Sequence, residues 1–120
     1  MTITDADTVI KPAYRAEVYT LRTSGAPCQL RGYPAVVVSG ASVTPGGEGL
    51  PPENVQTYTL SRATTLSFAL ATSRTGTCTD RSAIRVTLPG TTAPRTVATG
   101  LRVCNGRLGV SPVHRLGDSD

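Results

Sequence analysis

Histidine and paired cysteines, the usual ligands of zinc, are almost absent from this 120-residue sequence. Its only histidine is His114, and its three cysteines form no Cys-x-x-Cys motif. Without a Cys-x-x-Cys pair, and with one His, too few to complete a tetrahedral site, we expect no zinc or other metal and no other cofactor. His114 lies in a predicted tail, so we predict no catalytic residues and no enzymatic activity. A Ser–His–Asp site is assembled only in space, which leaves a hydrolase as a remote alternative.

Large aromatic residues are also scarce, at 4% of the sequence, with no Trp and a single Phe, Phe68. The core must therefore consist mainly of Val, Leu, Ile and Ala, and we expect Phe68 near its centre. Few aromatics lie between the singly scattered arginines, which argues against nucleic acid as a partner.

Long apolar runs are missing as well. The longest unbroken run covers residues 35–38, which is far too short to span a bilayer, so no transmembrane segment is predicted. Residues 1–10 lack the basic start and apolar middle of a signal peptide, so any export signal is expected to lie outside this sequence.

The clearest structural signal that is present is the dipeptide Asn105-Gly106. Both central residues of a type I′ turn need positive φ, so this dipeptide predicts a two-residue β-hairpin. The resulting register places Cys104 opposite Arg107 and Val103 opposite Leu108. Alternation then gives the hairpin a core face, which consists of Leu101, Val103, Leu108 and Val110. The outer face consists of Arg102, Cys104 and Arg107.

Short alternating segments and frequent turn residues predict an all-β fold. The sequence contains 12 Gly and 9 Pro, and its Thr and Val residues favour strands. Residues 64–72 alternate most regularly between apolar and small or polar side chains. We expect the inward side chains to be Leu66, Phe68 and Leu70, and the outward ones to be Thr65, Ser67 and Ala69. We count about seven or eight short strands, the pattern of a two-sheet antiparallel β-sandwich.

We assign the β-sandwich domain to residues 14–113, preceded by a flexible lead-in over residues 1–13 and followed by a tail over residues 114–120. Residues 40–55 contain four Gly and three Pro. No ladder is expected there, and the segment is either a mobile surface loop or a binding loop. No two carboxylates are expected to converge in this arrangement.

The three cysteines allow two interpretations. Cys104 lies on the outer face of the hairpin, and Cys78 lies in a polar loop before the next strand. A Cys78–Cys104 disulfide would tie that loop to the hairpin, stabilise the fold by about 3–4 kcal/mol and indicate an oxidising compartment. Cys28 would then be left over, and the alternative is three free thiols in a cytosolic protein.

The net charge of +4 is unevenly distributed. Residues 11–117 contain all twelve basic residues and four acids, which gives this part of the chain a charge of +8. Eleven of the twelve are Arg, which either keep the surface soluble or attract an acidic partner such as an anionic envelope polymer, lipid headgroups or a protein. The candidate binding surface consists of Arg85, Arg102 and Arg107. Tyr33 is a further candidate anchor, whose alternative role is packing over the sandwich edge.

Four segments are informative when taken together: the run Cys28-Gln-Leu-Arg-Gly-Tyr-Pro34, the Leu/Phe strand over residues 64–71, the segment from Cys78 through Ile84-Arg-Val-Thr-Leu-Pro89, and the ending Val103-Cys-Asn-Gly-Arg-Leu-Gly-Val-Ser-Pro-Val113. From about Tyr14 to Val113 the chain resembles the actinobacterial family called domain of unknown function 4232. Its members are mostly secreted proteins or lipoproteins of the cell envelope.

The resemblance implies an immunoglobulin-like sandwich, an extracytoplasmic location and pairing of Cys78 with Cys104. It brings no known enzymatic activity. Family members often have another Cys near the start of the domain, as a partner for the one matched by Cys28. Residues 1–13 contain no Cys, so Cys28 departs from this pattern.

Two functions of different class follow from these observations. The first is a non-catalytic binding or scaffold module of the cell envelope, for a protein or an anionic envelope component. The second is a structural subunit or decoration domain of a larger assembly. The molecular mass in solution discriminates between them, because a monomer favours the binding module and a defined oligomer favours the assembly.

Overall fold

The computed structural model describes residues 1–50 and 55–116, and within them the fold contains strands and no helix. None of the described residues therefore belongs to a helix that could cross a bilayer. The eleven strands in this part of the chain are β1 (Thr2–Ile10), β2 (Arg15–Arg22), β3 (Cys28–Arg31), β4 (Ala35–Val37), β5 (Ser42–Pro45), β6 (Thr57–Leu60), β7 (Leu66–Thr72), β8 (Cys78–Thr87), β9 (Arg95–Cys104), β10 (Arg107–Val110) and β11 (His114–Arg115).

Nine of these strands form one sheet in the order β1-β2-β7-β10-β9-β8-β4, with β11 paired to β7 and β5 paired to β10. The remaining two, β3 and β6, form an antiparallel ribbon. The large sheet folds over so that β2 faces β9. A contact between the two strands shows this, since the Tyr19 hydroxyl lies 2.8 Å from Oγ1 of Thr99. The prediction of an all-β sandwich is confirmed. Its pairs are antiparallel except for β5 with β10, which run parallel.

The core is built around β7, in which every residue is buried. Phe68 is fully buried and stacks on Tyr19 with ring centroids 5.1 Å apart, so its predicted central position is confirmed. The prediction that Ser67 and Ala69 point outward into solvent is wrong, because both are buried. A second, small-residue cluster covers that other face, consisting of Ala16, Val18, Ala69 and Ala71, with Val9, Tyr14 and Leu50 packed against it.

Both predicted domain ends are wrong. Residues 1–13 are not a flexible lead-in, because β1 pairs with β2 from Thr2 opposite Arg22 to Ile10 opposite Arg15. The alternation of β1 was hidden by Asp5 and Asp7, which flank a bulge, and by the exposure of most of its side chains. The predicted tail also begins too early, since β11 pairs with β7. Residues 117–120 lie outside the described residues.

The hairpin prediction is confirmed at its turn and wrong beyond it. Asn105 and Gly106 have φ of 60° and 67°, and Cys104 pairs with Arg107 as expected. Leu108 then pairs with Val43 of β5, so the predicted ladder between β9 and β10 is not continued. The four predicted core-face residues of the hairpin, Leu101, Val103, Leu108 and Val110, are all buried.

The strand that replaces the predicted ladder comes from the Gly- and Pro-rich segment. Ser42–Pro45 forms β5 and runs beside β10, so the expectation that residues 40–55 form no ladder is wrong. Gly109 makes this approach possible, because a Cβ there would collide with the backbone of Gly47. Within the segment, residues 51–54 lie outside the described part of the chain.

Candidate functional site

The disulfide between Cys78 and Cys104 is present and joins two directly paired residues of β8 and β9. Cys78 begins β8 instead of lying in a loop, which corrects its predicted position. Cys104 lies on the predicted face but is only 1% exposed, because the bond covers its sulfur and Thr72 accepts a hydrogen bond from its backbone N–H. Cys28 carries no disulfide.

The predicted surface arginines do not act as one uniform patch. Arg85 pairs with Thr96 and Arg102 pairs with Asp80, so both lie on the outer face of β8 and β9, about 20 Å apart along the strand at 3.3 Å per residue. Nε of Arg102 lies 3.5 Å from the Asp80 carboxylate. Arg107 lies opposite Cys104 across the turn.

Arg107 makes a similar ion pair, because its Nε lies 3.5 Å from the Glu48 carboxylate. Tyr33 is half-buried and packs against the core cluster. Its hydroxyl lies close to Gly46, which places the side chain beneath the segment that carries β5. Tyr33 thus packs against the core, while Arg85, Arg102 and Arg107 are all exposed.

Arg102 instead contributes to a concave site with two arginines that the sequence did not single out. This cleft, called the arginine cleft below, has a volume of about 480 Å³. It is lined by Arg15, Asp80, Arg81, Ser82, Thr99, Gly100 and Arg102. Three guanidinium groups and one carboxylate thus surround a space at the start of β2 and the middle of β8 and β9.

A β-bulge between Arg81 and Ala83 shapes the β8 wall of the arginine cleft. Bulges change the direction in which neighbouring side chains point. Nε of Arg81 donates a hydrogen bond to the Ser39 carbonyl oxygen at 2.7 Å, and its Nη1 donates to the Asp80 carbonyl oxygen at 3.1 Å. These bonds fix the guanidinium of Arg81 while leaving other N–H groups available.

A network of polar groups extends from the cleft through Thr99 and Gly100, which also line it. The Asp5 carboxylate accepts hydrogen bonds from Oγ1 of Thr99 at 2.7 Å and from the Gly100 N–H at 3.1 Å. Since Thr99 donates to Asp5, the Tyr19 hydroxyl donates to Thr99. Burial raises the pKa of the Tyr19 phenol, so this hydroxyl stays a donor at any physiological pH.

Glu17 is the second carboxyl group of this network. It is 7% exposed and accepts a hydrogen bond from Oγ1 of Thr8 at 2.5 Å. Asp5 lies close to it, because Asp5 pairs with Tyr19, two residues along the same face of β2. Burial and the Asp5 contact raise the pKa of Glu17 to about 7, while Thr8 and Arg15 oppose this shift.

The expectation that no two carboxylates converge is therefore wrong. It failed because Asp5 was assigned to the flexible lead-in, and β1 carries it to the edge of the core. The alternation of β2 did contain a signal, since Glu17 shares a face with Tyr19 and Leu21. A buried acidic residue on the inward face of a strand needs a hydrogen-bond partner, and Thr8 on β1 provides it.

His114 is not in a tail but buried at 4% exposure. Its Nε2 lies 3.0 Å from Oγ of Ser67, and its Nδ1 lies 2.9 Å from the Pro112 carbonyl oxygen. Ser67 is fully buried, and the contact joins β11 to β7. Across residues 1–50 and 55–116, no three His, Cys, Asp or Glu residues come together as a metal site.

The comparisons with known proteins give one family. The profile of the family described as Domain of unknown function (DUF4232) matches residues 6–114, which include most of β1 and all of the arginine cleft. No curated protein and no solved structure matches the chain. Because the match covers nearly the whole sequence, the chain belongs to the DUF4232 family.

Proposed function

We propose that this domain is a non-catalytic, extracytoplasmic binding module that holds an anionic polymer of the cell envelope at the arginine cleft. The observation that carries this proposal is the concentration of Arg15, Arg81 and Arg102 around one concave space, opposed by the single carboxylate of Asp80. A concave surface with charges of one sign focuses the electrostatic potential and attracts oppositely charged ligands.

The chemistry of arginine favours this class of ligand. A guanidinium presents a planar set of N–H donors that matches the two oxygens of a carboxylate or phosphate. The outer face of β8 and β9 continues from the cleft to Arg85, so an extended polymer can contact several arginines in succession. The charge of +8 over residues 11–117 adds a longer-range attraction.

The location outside the cytoplasm is supported by the Cys78–Cys104 disulfide. Structural disulfides persist in oxidising compartments and are rare in the reducing cytosol. Envelope polymers are often anionic, so a basic domain in that compartment meets ligands of the required charge.

Binding of two defined polymers tests the proposal. Polygalacturonate carries carboxylates and polyphosphate carries phosphates, so the pair identifies the anionic group, while uncharged dextran controls for non-specific binding. We expect the double variant Arg15→Gln/Arg102→Gln to bind about tenfold more weakly, which corresponds to about 1.4 kcal/mol. The double variant Arg22→Gln/Arg62→Gln changes the net charge equally, away from the cleft, and is expected to bind like the wild type. Equal loss in both double variants, or no binding of either polyanion, would contradict the proposal.

A second function, as a structural subunit of a larger assembly, is favoured by the open edges of the large sheet. The strands β1 and β4 end the sheet order, and Val37 on β4 is 66% exposed. Unpaired edge strands can add a strand from another chain. Sedimentation equilibrium tests this function, because a defined oligomer supports it and a monomer at all concentrations contradicts it.

A further inference from the structure

The polar half of β2 places a carboxyl group beside one of the cleft arginines. Arg15 and Glu17 are two residues apart on this strand and therefore share its inward face. Arg15 is half-buried and lines the cleft, and its charge attracts the Glu17 carboxylate. An anion that enters the arginine cleft thus meets an arginine that already has an internal acidic neighbour.

The carboxyl group of Glu17 can be protonated or ionised near neutral pH, because it is buried and lies close to Asp5. Two carboxyl groups that lie close together away from bulk water do not both ionise readily, so one of them keeps a proton up to a higher pH than usual. Here that proton belongs to Glu17, whose pKa burial and Asp5 raise to about 7.

Charged and titratable groups on four strands act on Glu17 or line the cleft. On β7 the residue opposite Glu17 is the uncharged Leu70. Asp5 on β1 and Arg15 and Tyr19 on β2 interact electrostatically with Glu17, and Asp80 and Arg81 on β8 and Arg102 on β9 line the cleft. Burial raises the pKa of Tyr19, so this residue stays neutral, whereas the pKa of Glu17 is about 7, so its charge changes near neutral pH.

We propose that Glu17 is an internal competitor for Arg15, so that the arginine cleft binds anions more tightly when this carboxyl is protonated than when it is ionised. The inference rests on the proposed function and adds its regulation by pH. When Glu17 is ionised, it partly neutralises Arg15 and repels an incoming anion. When Glu17 is protonated, Arg15 directs its full charge into the cleft.

Thermodynamic linkage makes this competition reciprocal. If protonation of Glu17 strengthens anion binding, then anion binding must strengthen protonation of Glu17 by the same factor. A bound anion therefore raises the pKa of Glu17. The domain takes up a proton as it binds, and it releases its ligand more readily as the surroundings become more alkaline.

Polygalacturonate is the suitable probe, because its carboxylates stay ionised throughout the range in which Glu17 titrates. We expect the wild type to bind it about fivefold more tightly at about pH 6 than at about pH 8. Glu17→Gln keeps an oxygen acceptor for Thr8 and a donor for Asp5, so the fold is retained while the titration is lost. This variant is expected to bind with the tighter affinity at both pH values.

Glu48→Gln provides the matched control, since it removes an acid that contacts Arg107 instead of a cleft residue. It is expected to keep the pH dependence of the wild type. A wild type and a Glu17→Gln variant with the same pH response would overturn the inference and leave the proposed function intact. A wild type that binds polygalacturonate at neither pH overturns the inference, and one that also fails to bind polyphosphate overturns the proposed function as well.

A second measurement needs no variant. Carbon-13 NMR of the Glu17 carboxyl group gives its pKa in the intact protein, with and without polygalacturonate. The competition requires the probe to raise this pKa. A pKa that does not change at saturating probe would overturn the inference even if binding is strong.

Discussion

The two halves of β2 have opposite chemistry on the same inward face. Leu21 and Tyr19 are fully buried in the main core, where Tyr19 stacks on Phe68. Two positions earlier along the face, Glu17 meets Asp5, and Arg15 reaches the cleft. Tyr19 joins the two regions, since its ring belongs to the apolar half and its hydroxyl donates to Thr99 in the polar half. Not every inward-facing residue of β2 therefore belongs to the apolar core. The proposed binding site lies at the polar end of this face.

The largest expected effect is in the apolar half. Phe68→Ala removes a fully buried ring from its stack with Tyr19 and leaves a cavity, so the free energy of unfolding should fall by about 3–5 kcal/mol. Urea denaturation followed by circular dichroism measures this change. A midpoint equal to that of the wild type would place Phe68 outside the core and remove the contrast between the halves.

Loss of the disulfide should have the next largest effect. The double variant Cys78→Ser/Cys104→Ser releases a bond between residues 26 positions apart, and a stability loss of about 3–4 kcal/mol is expected from the chain-entropy argument. Cys28→Ser is the control, because Cys28 is unbonded and half-buried. If the two sets of substitutions destabilise equally, the bond does not hold β8 to β9.

In the polar half, the ionisation of Glu17 should make the free energy of unfolding depend on pH. The pKa of Glu17 is raised to about 7 in the folded protein from 4.5, so the folded state binds this proton more tightly than the unfolded state does. Its contribution is fully present below about pH 4.5 and is lost as the pH rises to about 7, with a size of roughly 2–3 kcal/mol. Urea denaturation at several pH values should show that Glu17→Gln lacks this decline. Parallel profiles for the two proteins would mean that Glu17 titrates normally.

The smallest effect on stability is expected from Arg102→Gln. Arg102 and Asp80 have side chains that are 50% and 79% exposed, and exposed ion pairs contribute about 0–1 kcal/mol. The variant should therefore unfold at nearly the same urea concentration as the wild type, although its polyanion binding is weakened. A stability loss comparable to that of Phe68→Ala would show that Arg102 serves the fold instead of the ligand.

The sequence predicted the features that depend on local chemistry. Asn105 and Gly106 are residue types that adopt positive φ, so this dipeptide correctly predicted the turn. The alternation around Phe68 correctly predicted a core strand. The β5–β10 pair could not be read in the same way. It depends on the close approach of two glycine backbones, Gly47 and Gly109, which leave no hydrophobic pattern.

The arginine cleft escaped prediction for a related reason. Arg15, Arg81 and Arg102 are far apart in sequence. Arg81 and Arg102 come together because β8 pairs with β9, and the fold brings Arg15 of β2 to the same cleft. Asp5 was hidden because the bulge in β1 interrupts the alternation on which strand prediction depends. Only the inward position of Glu17 was available as a local signal, and its partner could be found only in the fold.

The most direct test of the account is a titration of the isotopically labelled domain with polygalacturonate, followed through its backbone amide signals. The account predicts the largest chemical-shift changes at Ser82, Thr99 and Gly100 in the wall of the arginine cleft, with little change at Arg22 or Arg62. Changes centred on any other surface, or none at saturating polymer, would contradict the claim that this cleft binds anions.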